Sequence, residues 1–259
     1  MTFIAWLQEF AADGTAFALS LAMVAGYYIH LRRHSRQDPT YSIHTVNALA
    51  RRLWVESVMN NPGKDIMAVQ TLRNFIMVSI MMASTASLMI MGTLTLSGQA
   101  ENIARSWHLL GMFGSQSAGL WVIKVLCLLL DFITAFFAYA MSMRLSTHVL
   151  FMLNVPLGAY HEYPQLTPEL VANRLIQAGN LIAMGMRAFL FAIPLVFWLF
   201  GPEFLFLATI GLVIVLSRLD RHESASGRLH EAVKEPMPAS SGKAKESGQT
   251  LAFPRSKSA

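Results

Sequence analysis

Five apolar segments constrain the fold of this chain more than any other feature of its sequence. They cover residues 14–31, 75–96, 119–141, 181–200 and 204–216. The first four are each close to the ~20 residues that a helix needs to cross a hydrocarbon core ~30 Å thick, whereas the fifth is shorter. Charged residues make up only 14% of the chain, compared with the ~25% that is usual in soluble globular proteins. The sequence therefore predicts an all-α, polytopic transmembrane bundle of about five helices.

The distribution of basic residues predicts the orientation of the five spans. Seven basic residues lie between the first two apolar segments, and only Arg105 lies between the second and the third. Another group of basic residues, from Arg218 to Lys234, follows the fifth segment. Because the cytoplasmic loops of membrane proteins are enriched in Lys and Arg, we expect the N-terminus outside, the 32–74 loop inside and the C-terminus inside. This arrangement requires an odd number of crossings, which favours five over four.

The two ends of the chain differ from the bundle, which we expect to occupy residues 14–221. Within residues 1–13, the side chains of Phe3, Ile4, Leu7 and Phe10 recur at helical spacing and predict a short interfacial helix. Residues 222–259 are rich in Ser, Gly, Lys and Pro. This composition is typical of a disordered cytoplasmic tail.

The pattern of apolar residues in the 32–74 loop predicts an amphipathic helix that lies in the cytoplasmic interface. We call this part of the chain the collar. Its apolar residues at helical spacing are Ile43, Val46, Leu49, Leu53 and Val58. The Asn-Asn-Pro-Gly run at 60–63 predicts a turn that ends this helix, and Asp65 can cap the helix that leads into the second span. Thr167, Pro168 and Glu169 likewise predict the start of a helix before the fourth span.

Six polar or aromatic residues of the collar form the candidate site for a lipid or a partner protein. They are Arg51, Arg52, Trp54, Gln70, Arg73 and Asn74. The last three share one helix face at the expected membrane entrance, where they could hold a lipid headgroup or dock another protein. Helix capping and anchoring in the interface are the alternative roles for the same side chains.

Two stripes of small residues predict how the first two spans pack. In each stripe the residues are four apart, which places them on one helix face and lets two backbones approach closely. The stripes are Gly14, Ala18, Ala22 and Gly26 in the first span, and Ser79, Ala83 and Ser87 in the second. We expect these two helices to pack tightly against each other, and a large side chain at Ala22 to disrupt them.

Three ionisable residues, Lys124, Asp131 and Arg187, lie within the apolar segments. A charge at the bilayer centre costs roughly 2.5–3.5 kcal/mol on insertion scales, so such residues usually pair or face water. Counting ~1.5 Å per residue places Asp131 and Arg187 at similar depth, which predicts an ion pair between the third and fourth spans. Lys124 lies nearer the outer surface, where it could snorkel outward or meet Glu203. The three residues are either a structural lock or a polar pathway through the bundle.

Several kinds of chemistry find no support in the sequence. The single cysteine, Cys127, excludes an internal disulfide framework, and no P-loop, G-x-S-x-G, H-E-x-x-H or dinucleotide fingerprint is present. We expect no enzymatic activity, no cofactor and no nucleic-acid partner. The histidines at the inner helix ends, His30, His34 and His148, are weak metal-ligand candidates because no third ligand accompanies them.

The motifs of the collar and the spans resemble those of the integral-membrane family called domain of unknown function 599, found in bacteria and plants. They are Arg51, Trp54, Val55, the run 68–74 (Ala-Val-Gln-Thr-Leu-Arg-Asn), 83–85, Lys124, 135–137, Arg144, Gly185, Arg187 and 198–202. The resemblance covers roughly residues 15–220, implies the same helical membrane architecture and assigns no reaction.

We therefore expect a multi-pass protein of the bacterial inner (plasma) membrane without catalytic activity. The favoured role is a structural or accessory component whose collar docks lipid or a partner, which would be another membrane protein or a second copy of the chain. The alternative role is a small transporter or ion conduit that uses Lys124, Asp131 and Arg187.

Overall fold

The computed structural model describes residues 3–37, 43–61, 63–98, 118–155, 163 and 166–220, and the regular structure in them is entirely helical. The helices are α1 (Phe3–Gln37), α2 (Ile43–Met59), α3 (Asp65–Gly98), α4 (Ala118–Met152), α5 (Pro168–Phe200) and α6 (Pro202–Asp220). They belong to one unit that spans residues 1–222. The predicted all-α class is confirmed, whereas the predicted tail at 222–259 lies outside the described residues.

Four of the helices in the described part of the chain are long and apolar enough to cross a membrane. These segments are Asp13–Leu31, Asp65–Gly98, Gly119–Met152 and Pro168–Phe200. The chain is therefore a membrane protein. The fifth apolar segment forms α6, which has 19 residues. The number of crossings and their orientation stay predictions.

Local signals in the sequence mark where several helices begin and end. Thr167 is the N-cap of α5, with proline at the first position and Glu169 in the first turn, as predicted. The collar helix α2 ends at Met59, and Gly63 has a φ of 104° in the turn that follows. Only glycine adopts this left-handed conformation without strain. Helix α1 runs unbroken from Phe3 to Gln37. The short helix predicted near the N-terminus is therefore continuous with the first span.

Helices α3, α4 and α5 form the core of the bundle, and α4 contacts both of the others. Small residues allow this close approach: Ala86 of α3, Ala135 of α4 and Ala188 of α5 are buried around the Tyr139 ring. A Cβ atom built on Gly185 would lie only 2.6 Å from Cζ of that ring. The absence of a side chain at Gly185 therefore creates the space that Tyr139 fills.

A buried hydroxyl network joins the same three helices. The Ser142 hydroxyl of α4 donates to the carbonyl oxygen of Ala178 in α5 at 2.9 Å. The Ser79 hydroxyl of α3 lies 3.4 Å from the Ser142 hydroxyl. Hydrogen bonds between membrane helices contribute about 0.6 kcal/mol on average, so this network supports the packing and mainly fixes its register.

The collar helix α2 packs one face into the protein. Its residues Val55, Val58 and Met59 are buried with residues from the start of α3, the end of α4 and the start of α5. Leu49 and Leu53 lie on the opposite, exposed side. The predicted apolar face is therefore divided, since Val58 faces the bundle while the two leucines face outward. Helical spacing alone does not distinguish an apolar face that packs on protein from one that contacts lipid.

The predicted packing of the first two spans is wrong. Helix α1 packs mainly against α6, and its small-residue stripe is exposed, with nothing within 4 Å of a Cβ built on Gly14 or Gly26. The face that α1 turns inward instead carries Asp13 and Ser20, both buried. A carboxylate within an apolar span has to meet a cation or face water, so the polar residues set the rotation of α1.

The exposure of the stripe changes the expected effect of a substitution at Ala22. We expect Ala22→Leu to shift the free energy of unfolding by no more than about 0.5 kcal/mol, because the side chain points away from the bundle. The matched change Ala86→Leu, at a residue with no exposed surface, should cost about 1–3 kcal/mol through overpacking. Unfolding of both purified variants by a denaturing detergent measures the difference, and equal losses would contradict this packing.

Candidate functional site

A buried charged cluster lies where α1, α4 and α5 meet. The Lys124 ammonium lies 2.8 Å from Oδ1 of Asp13, and the Trp198 indole N–H donates to the same oxygen at 2.8 Å. The ammonium also lies 5.4 Å from the centre of the Trp198 ring, within the range of a cation–π contact. Phe17, one turn along α1 from Asp13, stacks on that ring with centroids 4.8 Å apart.

Within this cluster the positive charge of Lys124 and the negative charge of Asp13 neutralise each other. The side chains of Lys124 and Asp13 are only 5% and 2% exposed, and a buried ion pair is stable only when its geometry is good and further hydrogen bonds satisfy it. The indole N–H supplies one such bond. Oδ2 of Asp13 has no hydrogen-bond partner among the described residues. Lys124 thus neither snorkels outward nor meets Glu203, and its partner is a residue near the start of the chain.

The predicted ion pair between Asp131 and Arg187 is not formed. The Arg187 guanidinium lies over the Tyr28 ring of α1, 5.3 Å from its centre. Oδ2 of Asp131 is buried without a hydrogen-bond partner in the described part of the chain. Equal depth was the basis of the prediction, but depth does not specify the direction in which a side chain leaves its helix. Asp131 and Arg187 leave theirs toward different neighbours.

Asp131 instead lines a cavity of about 440 Å³ between α1, α4, α5 and α6. Its lining is mostly apolar and aromatic, with one carboxylate and two aliphatic hydroxyls. The lining residues are Phe17, Ser20, Leu21, Val24, Ala25, Tyr28, Asp131, Phe191, Pro194, Leu195, Leu205, Thr209 and Leu212. Ligand pockets typically have volumes of about 300–1,000 Å³ with a few polar groups in an apolar wall, and this cavity has that composition.

The polar groups of the cavity differ in what they already bind. The Thr209 hydroxyl donates to the carbonyl oxygen of Leu205 at 2.7 Å. The Ser20 hydroxyl is buried and, like Asp131 Oδ2, finds no partner among the described residues. Buried polar atoms are nearly always hydrogen-bonded in folded proteins. Two unsatisfied groups in one cavity therefore indicate a place for a ligand, a proton or water.

Arg51 of the collar is integrated into the packing rather than displayed on the surface. Its guanidinium lies against Gly179 of α5, where an added Cβ would collide with Cζ of Arg51. The same group lies 5.9 Å from the centre of the Phe75 ring of α3. Burial lowers the pKa of the Arg51 guanidinium from its ordinary value. Arg51 thus joins α2, α3 and α5.

The other predicted collar residues lie in two environments. Trp54 packs against the buried collar core, and Arg52 pairs with Glu169 of α5 and, at 3.9 Å, with Glu56. Gln70, Arg73 and Asn74 are exposed on α3. The structure therefore separates the predicted set into residues that attach α2 to the bundle and residues that stay available for binding.

The histidine candidates do not form a metal site within the described residues. His30 and His148 are exposed, and the side chain of His34 lies outside the described part. No group of three or more potential ligands among His, Cys, Asp and Glu occurs in the described residues.

Asp13, Ser20 and Trp198 are the site residues that sequence reasoning missed. Asp13, Phe17 and Ser20 are spaced by four and three residues, which places them on one face of α1. That face competes with the small-residue stripe in the same helix. The only signal for its importance is a carboxylate at the start of an otherwise apolar span.

Comparisons with known proteins assign a family but no activity. The family model described as "Protein of unknown function, DUF599" matches residues 15–225. No curated protein matches the chain, and no solved structure matches it. The match includes both Lys124 and the cavity around Asp131, and its start at residue 15 leaves Asp13 just outside.

Proposed function

The chain belongs to the DUF599 family of proteins of unknown function, and we propose that it is a small, non-catalytic transporter of the bacterial inner membrane. Its substrate would bind in the cavity that Asp131 lines. The observation that carries this proposal is the buried Oδ2 of Asp131, which has no partner among the described residues although it lies beside about 440 Å³ of open space.

The chemistry of an isolated carboxylate explains why such a site would transport. An ionised carboxylate without a partner is very costly in an apolar environment, so it either holds a cation or takes up a proton. One carboxylate cannot do both at the same time. A cavity with one such group therefore exchanges a proton for a cation, which is the elementary step of a proton-coupled antiporter.

The two basic residues of the apolar segments, Lys124 and Arg187, lie near the cavity. Lys124 is neutralised by Asp13 at 2.8 Å, so it adds little net charge beside the cavity. Arg187 contacts Tyr28, which itself lines the cavity. This contact places Arg187 next to the wall of the cavity.

Proton flux in reconstituted vesicles tests the proposal. We expect at least one cation among Na⁺, K⁺, tetraethylammonium and ethidium, added outside acid-loaded proteoliposomes, to drive proton release, as reported by an internal pH dye. None of these cations collapses the gradient as a neutral base. Asp131→Asn should reduce the rate by about tenfold or more, because a charge-assisted contact is lost.

The matched control is Glu203→Gln, which removes an exposed carboxylate at the start of α6 and should leave the flux unchanged. Cation-driven proton release no faster than in protein-free vesicles, or equal rates for wild type and Asp131→Asn, would overturn the proposed transport function.

A second candidate function is docking of an anionic lipid or a partner protein at the collar, as an accessory component. The supporting observation is the exposed group of Gln70, Arg73 and Asn74, with Val69 and Met77 exposed one turn to either side of Arg73. An arginine between apolar neighbours suits the boundary between headgroups and hydrocarbon. Purification in mild detergent, with mass spectrometry of copurifying lipids and proteins, distinguishes this function from transport.

A further inference from the structure

We propose that the cavity binds a lipophilic organic cation that carries one protonated amine and enters laterally from the bilayer past α1. This inference rests on the proposed transport function, because it names the substrate class of the same cavity. It follows from four properties of the lining: its ligand atoms, its aromatic walls, its opening and the charges around it.

The ligand atoms of the cavity do not suit a bare metal ion. Ca²⁺ takes six to eight oxygen ligands, and Mg²⁺ requires near-octahedral coordination. Here Asp131 supplies the one carboxylate in the described lining, Ser20 supplies a free hydroxyl, and the Thr209 hydroxyl already donates to Leu205. A protonated amine needs only two or three acceptors at its N–H groups, so the carboxylate and the hydroxyls can satisfy it.

The walls of the cavity suit the organic part of such a ligand. Phe17, Tyr28 and Phe191 contribute aromatic rings, and Leu195 and Leu212 contribute aliphatic surface. Aromatic faces attract cations and also bury large apolar areas. A volume of about 440 Å³ accommodates a molecule of drug size, far more than an ammonium group alone would fill.

The opening of the cavity points to the bilayer as the source of the ligand. Leu21 lines the cavity and is nevertheless 60% exposed, and Ala25, one turn further along α1, is exposed as well. Both residues lie within the candidate span Asp13–Leu31. An exposed apolar side chain in a membrane span faces lipid, so molecules dissolved in the bilayer can reach the cavity directly.

The surrounding charges limit the ligand to a single positive charge. Lys124 is compensated by Asp13 and Asp131 has no ion-pair partner in the described residues, whereas the Arg187 guanidinium contacts the Tyr28 ring of the lining. A second ammonium group on the ligand would find no second carboxylate in the described lining of the cavity to balance it. The site therefore favours monocations over dications.

Binding of dansylcadaverine to the full-length protein in lipid nanodiscs tests this inference. The probe is a fluorescent, lipophilic primary amine, and empty nanodiscs of the same lipid give the background. We expect saturable binding that Asp131→Asn weakens by about 10- to 100-fold, the usual effect of losing one charged hydrogen bond. The N-acetylated probe has the same body without the charge and should bind weakly to both proteins.

A pair of variants on α1 tests the lateral opening independently of Asp131. Leu21→Trp places a large ring at the mouth of the cavity and should reduce probe affinity by about tenfold or more. Leu19→Trp is the matched control, because Leu19 is equally exposed at 59% but does not line the cavity, and it should leave the affinity unchanged. This pair stays informative even where Asp131→Asn fails to fold.

The outcomes separate this inference from the proposed transport function. Equal affinity for the amine and its acetylated form, or an amine affinity that neither Asp131→Asn nor Leu21→Trp changes, would overturn the proposed substrate class. Asp131-dependent proton flux with Na⁺ or K⁺ in the same preparation would then leave transport intact. Specific amine binding without flux of any of the four cations would support the site and contradict transport of those cations.

Discussion

Replacing Lys124 with methionine is expected to lower the free energy of unfolding by about 3–5 kcal/mol, the usual cost of removing one partner from a buried ion pair. Methionine keeps the length of the side chain, so the loss reflects charge rather than volume. The remaining carboxylate of Asp13 is only 2% exposed and would keep just the Trp198 hydrogen bond. Reversible unfolding by a denaturing detergent, followed by circular dichroism, measures this effect.

The double variant Lys124→Met with Asp13→Asn should recover most of that loss, because no uncompensated charge remains buried. Arg52→Met is the matched control: it breaks an exposed pair with Glu169 and Glu56 and should cost less than about 1 kcal/mol. A loss for Lys124→Met no greater than that of Arg52→Met would show that the cluster does not hold α1 in place.

Replacing Gly185 with alanine is expected to cost about 1–3 kcal/mol through overpacking, at a close contact between α5 and Tyr139 of α4. The new Cβ would lie 2.6 Å from Cζ of Tyr139, and that ring has no exposed surface and no free direction in which to move. Thermal unfolding of the purified protein should show a lower midpoint.

Gly211→Ala provides the control, since nothing lies within 4 Å of a Cβ at that position of α6. It should be neutral or slightly stabilising, because alanine favours helix by about 1 kcal/mol over glycine. Adding Tyr139→Leu to Gly185→Ala should give a total loss smaller than the sum of the two single losses. Equal midpoints for Gly185→Ala and Gly211→Ala would contradict the close contact.

The parts of the fold that depend on local sequence could be predicted. The start of α5 follows from Thr167, Pro168 and Glu169, and the end of α2 follows from the turn at Asn60 and Gly63. Capping and turn preferences act between residues a few positions apart, so they are visible in one sequence. The apolar segments likewise appear as helices, because a helix satisfies its backbone hydrogen bonds within one segment of the chain.

The rotation of each helix about its own axis could not be predicted. Helix α1 carries both a small-residue stripe and the face with Asp13 and Ser20. The sequence alone does not show which of these two faces packs against the other helices. The answer depends on Lys124 and Trp198, which are far away in the chain. The same uncertainty of rotation produced the incorrect pairing of Asp131 with Arg187, although the sequence identified Lys124, Asp131 and Arg187 as ionisable residues within apolar segments.

The Asp13 contacts also have a consequence for the order in which the protein assembles as it is synthesised. Asp13 lies 185 residues before Trp198, so α1 reaches the membrane long before its partners in α4 and α5 exist. Helices α3, α4 and α5, by contrast, are neighbours in sequence and can associate as they emerge in turn. Until then the carboxylate of Asp13 has to stay at the bilayer surface or keep its proton. Helix α1 is therefore made before α4 and α5 but reaches its final position only after they have been made.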